Sequence, residues 1–173
     1  EGLLPLLADL QATLISLARR EAGQIQMGRT HGQHAVPITF GFAVVGHVSR
    51  LDRRMRAIKE AADELRGKIS GAVGAYNASH IFFDDPEEFE AAICAQMGLK
   101  PSRTSTQIVE PELYVDYFSA LVSTFGVLAD LADDMRHLQR TEIAEVGEEF
   151  EAEQVGSSTM PHKRNPWNFE NVK

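Results

Sequence analysis

Cysteine occurs once in the 173 residues, at Cys94, so no intrachain disulfide can form. A lone thiol inside an apolar helical pattern reads as a small buried side chain, and such sparse cysteine suits a reducing, cytosolic compartment. No apolar run of membrane-spanning length and no secretory leader stands out. The six histidines are scattered without an H-x3-H pair, and there is no C-x2-C pair, so no metal site is expected. His31 and His34 are three apart, but glycine lies between them and no acidic ligand is near. A glycine-rich dinucleotide fingerprint is missing too, and no cofactor is implied. Cations are the minority charge: 17 Lys and Arg stand against 25 Asp and Glu, a net charge of −8. That balance repels nucleic-acid phosphates and anionic membranes, so neither is expected as a partner, although local cationic spots can still hold an anionic metabolite.

With 43% hydrophobic and 24% charged residues, the composition is that of a soluble globular domain long enough to bury a core. The chain begins "EGLLPLL" and ends on "NVK" within what reads as a new helix, the pattern of an excerpt from a longer protein.

Three apolar stripes organise it. Leu3, Leu7, Leu10, Leu14 and Leu17 keep one helix face, with Pro5 in the first turn and Gly23 as the expected stop. Val44, Val48, Leu51, Met55, Ile58, Ala62 and Leu65 mark a long helix over about 39–66, halted by Gly67. Tyr114, Phe118, Leu121, Phe125, Leu128, Ala132 and Met135 mark another over about 111–140. Between the long helices a shorter one runs to about Met97, with Asp85 as N-cap, Pro86 at the first helical position and Gly98 beyond. "QIQMGRTHGQHAVP" reads as irregular, and no strand is expected. The fold class is therefore all-α, a bundle of long helices. Helices near thirty residues are roughly 45 Å long at 1.5 Å per residue, so neighbouring subunits are expected to cover part of these stripes.

Chemistry-bearing side chains concentrate in the connections "GRTHGQH", "STQ" and "GSSTMPHKRN". The last packs Ser157, Ser158, Lys163, Arg164 and Asn165 into a glycine-flanked loop ahead of a helix, which suits a carboxylate or phosphate. On composition alone, a well-capped surface loop with solvated cations is the ordinary reading, and composition does not reach an enzyme. The acidic run Glu142–Glu153 reads as a solvated, mobile approach to that loop.

The full string "GSSTMPHKRNP", residues 156–166, resembles the signature G-S-S-x-M-P-x-K-x-N of the fumarase/aspartase superfamily without departure. "MGRTHGQHAVPITFG", "GKISGAVGAY" and "STQ" resemble further family segments in the same order, so the likeness covers nearly the whole chain. "MPHKRNP" is similar to its adenylosuccinate lyase and carboxymuconate cycloisomerase branches, and "GRTHGQHAVPITFG" and "FEN" are more similar to the first of these. This resemblance implies that residues 1–173 are part of a central helical-bundle domain, with N-terminal and C-terminal domains outside them. It also implies a homotetramer with active sites shared between subunits, and β-elimination of fumarate from a small anionic succinyl-amine. Position by position, Ser157 matches the base and His31 the general acid. Thr30, Gln107, Ser158, Met160, Lys163, Arg164 and Asn165 match substrate contacts. His34 and His162 read as pocket wall, and His47 and His137 as structural.

One stretch departs from the pattern. Many relatives carry arginines and a histidine shortly after the glutamine, where this chain reads "QIVEPELYVDYF". Substrates of a carboxymuconate cycloisomerase or an argininosuccinate lyase therefore stay in play, as does a non-catalytic oligomerisation module.

Overall fold

The computed structural model describes residues 2–149, 157–160 and 162–173. Gly156 and Pro161 of the signature, and 150–153 of the acidic run, lie outside the described residues. The chain divides into two compact units, Glu1–Arg53 with Ser123–Lys173, and Arg54–Val122.

In the first unit, α1 (Leu3–Arg20) buries Leu7, Leu14 and Ala18, as the stripe requires. It ends at Glu21, ahead of Gly23, where the Glu21 and Ala22 amides donate to the Leu17 and Arg19 carbonyls. The next segment corrects the all-α expectation: "QIQMGRTHGQHAVP" forms an antiparallel hairpin, β1 (Ile25–Thr30) with β2 (Gln33–Thr39). Its alternation was hidden because β2 buries almost nothing, which leaves no period-two apolar signal. Glycines and Pro37 obscure it further; proline is tolerated in a strand with a free edge. The chain then returns to the end of α1, with Phe40 N–H on Gln24 O and Gly41 N–H on Glu21 O. A Cβ on Gly41 would lie 2.3 Å from the Ala18 carbonyl oxygen, so only glycine allows this approach.

α2 (Phe40–Asp63) buries Val44, Leu51 and Ile58, seven apart on one face. It stops at Asp63 because β3 (Arg66–Gly67) leaves the helix to pair in parallel with Lys100–Pro101. Gly67 is thus a packing residue rather than a helix stop: a Cβ there would meet the Cys94 sulfur at 2.9 Å.

In the second unit, α3 (Ser79–Phe82) is one short turn, and α4 (Pro86–Gln96) starts as the sequence predicts, Asp85 accepting from Glu88 N at 2.9 Å. β4 (Lys100–Pro101) follows. Cys94 is fully buried, and burial raises its thiol pKa. Glu90, 1% exposed, accepts the Tyr76 hydroxyl at 2.6 Å and the Ile69 amide. Donating to a carboxylate pushes the Tyr76 pKa up to about 12. The glycine-rich stretch crosses the "STQ" loop so closely that a Cβ on Gly74, φ 77°, would meet Ser105 O at 1.9 Å.

α5 (Glu112–Leu138) begins in the second unit and ends in the first. Ala132 and Met135 of its stripe are buried, while Tyr114, Phe118 and Phe125 are exposed, as are Val115 and Val122. By length and composition alone α5 is apolar enough to cross a membrane, contrary to the expectation that no such run exists. Its last turns are nonetheless bound to protein, through Arg50–Asp130 and His47–Asp134. α6 (Trp167–Val172) follows the signature loop. The fold is therefore mostly helical with a few short strands, not all-α.

Candidate functional site

Thr30 pairs with Gln33 across the hairpin, leaving His31 and Gly32 as a two-residue turn. Both have positive φ, 53° and 71°, the sense that matches strand twist in tight hairpins. Positive φ is uncommon outside glycine, and histidine is among the residues that tolerate it best. The turn puts His31 at an exposed tip. Among the described residues, the side chains of Thr30 and His31 make no hydrogen bond, so both are available to a substrate. Below the tip the register slips between Met27 and Arg29, and a Cβ on Gly28 would lie 2.6 Å from Val36 O.

The signature loop is turned by its own backbone. Met160 N–H donates to Ser157 Oγ at 3.3 Å, and Lys163 N–H donates to Met160 O at 3.0 Å. Ser157 is half-buried, while Ser158, Met160, Lys163 and Arg164 are exposed. Among the described residues, the Lys163 ammonium pairs with no carboxylate.

An open groove of about 970 Å³ lies between the end of α5 and this loop, lined by Arg136, Arg140, His162, Lys163, Arg164 and Asn165 among others. Glu142, Glu148 and Glu170 share its walls. Arg136 pairs with Asp133 at 2.7 Å and Arg140 with Glu142 at 3.7 Å, so much of the positive charge in these walls is compensated.

Among the described residues of the acidic run, Glu145 and Glu148 are bound to protein, which departs at these two positions from the picture of a solvated run. Ala144 takes a left-handed φ of 51°, and the Glu145 amide returns to Leu138 O at 3.0 Å. Glu145 then meets Arg29 side by side, Nη1 to Oε2 at 3.0 Å and Nη2 to Oε1 at 2.5 Å, while Gln26 Nε2 donates to Oε2 at 3.0 Å. The Glu148 carboxylate accepts from Asn168 Nδ2 at 3.0 Å and from the Phe169 amide at 3.2 Å, holding the first turn of α6.

The Arg29 hydrogen bond, aided by Gln26, holds the Glu145 carboxyl below its ordinary range, and Arg29 is raised in return. A depressed folded pKa stabilises the fold above the unfolded carboxyl value, about 4.3, and that contribution disappears as pH falls through the lower folded value. The difference in urea midpoint between wild type and Glu145→Gln is therefore expected to be constant above about pH 5 and to shrink below about pH 4. A difference unchanged down to pH 3 would contradict the pairing.

The structure brings Thr30, His31, Ser157, Ser158, Met160, Lys163, Arg164 and Asn165 into one unit; Gln107 belongs to the other. There, Lys68 Nζ donates to Gly71 O at 2.6 Å and Gln107 O at 3.3 Å, and the Ser70 and Ser105 hydroxyls meet at 2.8 Å, joining the glycine-rich segment to "STQ". His47 is buried with Nε2 2.9 Å from Asp134 Oδ2, in keeping with its structural reading. Sequence reasoning missed Gln26, Arg29, Glu145 and Glu148. The one available signal was Arg29 standing next to Thr30 and His31.

A family model described as "Lyase" (Lyase_1) matches residues 1–173. The chain is 41% identical over 167 residues to an adenylosuccinate lyase of Pyrococcus abyssi, and 41% over 165 residues to that of Thermotoga maritima. These alignments cover 96% and 95% of the chain but 36% and 37% of the relatives, so the chain spans little more than a third of their length. Among solved structures, a class II fumarase from Schistosoma mansoni superposes with a TM-score of 0.82 at 23% identity, over 98% of this chain and 39% of that one, a likeness of fold. With its signature loop, its hairpin tip and a match from end to end, the chain belongs to the Lyase_1 family of the fumarase/aspartase superfamily.

Proposed function

We propose that the complete protein carrying this chain is a C–N lyase that releases fumarate from a succinyl-amine, with adenylosuccinate, giving AMP, as the first substrate to test and the succinyl-carboxamide ribotide of purine biosynthesis as the second. The observation that carries this reading is the groove at the signature loop, lined by Arg136, Arg140, Lys163 and Arg164, with the Met160 amide on Ser157 Oγ and, among the described residues, no carboxylate paired with Lys163. In such a reaction Ser157, having first given up its hydroxyl proton, acts as the alkoxide and takes the proton from the carbon beside a carboxylate, becoming the hydroxyl. Charge spreads into that carboxylate, which becomes a doubly negative aci-carboxylate. Lys163, Asn165 and neighbouring donors meet the charge where it develops. His31 then protonates the nitrogen as the C–N bond breaks. Thr30, Gln107, Ser158, Met160 and Arg164 hold the substrate.

The exposed Tyr114, Val115, Phe118, Val122 and Phe125 of α5 support a homotetramer whose helices cover one another and whose sites combine loops from several copies. The protein then works in the cytoplasm, without metal, cofactor, nucleic acid or membrane. Residues 1–173 alone are inactive in this account, since flanking domains complete the site.

A second reading, a carboxymuconate cycloisomerase or argininosuccinate lyase, is favoured by the cation-free stretch after Gln107, where Glu110 accepts the Ser102 hydroxyl. Following loss of adenylosuccinate and of a carboxymuconate by absorbance with the complete protein separates the two. Turnover of adenylosuccinate is expected; turnover of the carboxymuconate alone would reverse the order. A folded protein turning over neither of these, nor argininosuccinate, would favour the non-catalytic oligomerisation module.

A further inference from the structure

Glu145 touches no substrate-binding residue of the signature, yet it receives three hydrogen bonds from two residues of β1, the strand that ends in Thr30 and His31. β1 buries Gln26 and Gly28, but β2 is half-buried at most, the register slips at Gly28, and the His31–Gly32 turn is exposed. A tip at the end of a two-stranded ribbon is a poor place for a proton donor, because such a ribbon is marginally stable without support. A bidentate guanidinium–carboxylate pair is the strongest directional contact available at such a site, since it fixes orientation as well as distance.

The carboxylate itself is well anchored. Ala144 in its left-handed conformation and the return of the Glu145 amide to Leu138 O lock Glu145 onto the end of α5. Three residues on, Glu148 holds the first turn of α6, directly after the signature. One short stem thus grips both reactive segments of the chain, the hairpin on one side and the helix that closes the signature loop on the other.

We propose that Glu145 is a positioning residue: through Arg29 and Gln26 it fixes the hairpin so that His31 is held where the leaving nitrogen is protonated. This rests on the proposed lyase reading with His31 as acid, and nothing in the comparisons assigns Glu145 a role. The depressed Glu145 carboxyl and raised Arg29 agree with a pair that stays ionised throughout the working range.

The test uses the complete protein and adenylosuccinate. Glu145→Gln, which keeps the shape but loses the charge, is expected to lower kcat about 10- to 100-fold with KM changed less than about threefold, the scale of a reactive group displaced by up to an ångström. Arg29→Lys, which keeps the charge but loses the fork, is expected to act likewise and serves as the second arm if Glu145→Gln fails to fold. The decisive comparison repeats each change in a His31→Ala background. A residue that acts through His31 becomes silent there, so kcat is expected to fall no further. An equal loss with and without His31, or no loss in either single variant, would overturn the proposal. Should His31→Ala itself leave kcat intact, the acid assignment fails, an outcome distinct from failure of the Glu145 contact with His31 still required.

Discussion

Ser157→Ala in the complete protein is expected to lower kcat for fumarate release about 10⁴-fold, the upper end of what one positioned base supplies, and to leave assembly and KM nearly unchanged. The size follows from the geometry of the loop. Ser157 Oγ already accepts the Met160 amide at 3.3 Å, a contact that an oxygen carrying charge would keep. A methyl group leaves that amide without its acceptor and provides nothing to take the carbon-bound proton. Lys163 is a cation and cannot serve as the base while charged, and no neighbouring carboxylate among the described residues pairs with it. Binding is expected to survive because Lys163, Arg164 and Asn165, the groups proposed to hold the anion, are untouched; a loss confined to kcat marks an interaction made in the transition state. Pre-steady-state exchange of the substrate proton with solvent checks the assignment. Near-normal exchange or turnover in Ser157→Ala would refute it.

The second large effect is expected at His31. His31→Ala should lower kcat about 10²- to 10³-fold for adenylosuccinate, and the loss should depend on the leaving group. A nitrogen that departs readily as an anion needs little help from an acid, so a substrate analogue with a more acidic leaving amine should lose much less. The exposed tip, with both turn residues in left-handed backbone, is what makes the substitution clean. His31 is exposed and, among the described residues, its side chain makes no hydrogen bond, and alanine at positive φ carries only a local strain of about 1–2 kcal/mol. A parallel series of analogues on wild type and His31→Ala therefore separates acid catalysis from damage. Equal losses across the series would assign His31 to binding.

Which parts were legible in the sequence follows from where the apolar residues fall. Leu7 and Leu14, or Val44, Leu51 and Ile58, are buried where a helical stripe predicts, because burial imposes the period. Asp85 and Pro86 declared the start of α4 because a cap is local chemistry between near neighbours. The hairpin escaped because its strands pair through backbone while β2 stays exposed; hydrogen bonding of that kind leaves no mark on side-chain choice. Gly67 misled for a related reason. Its lack of a side chain answers the Cys94 sulfur, 27 residues away in the sequence and adjacent only after folding.

The site divides the same way. Ser157, Lys163 and Asn165 sit within nine residues and could be read as one motif, and Thr30 with His31 as another. Glu145 and Arg29 are separated by 116 residues, and each is unremarkable in its own segment. A glutamate among glutamates looks like a solvated charge until the chain reversal at Ala144 presents it to the hairpin. Long-range ion pairs of this kind are written in the fold and not in any window of sequence.

The most direct test of the account is the affinity of a substrate analogue in which the carboxylate that takes up charge is replaced by a nitro group. Once ionised, the nitronate carries the charge pattern of the aci-carboxylate without being able to eliminate. Groups arranged for the transition state should bind it at least about 10²-fold more tightly than the substrate, and Lys163→Met should remove most of that advantage. A nitronate bound no more tightly than the substrate by the complete protein would show that Ser157, Lys163 and Asn165 are not arranged around a developing dianion.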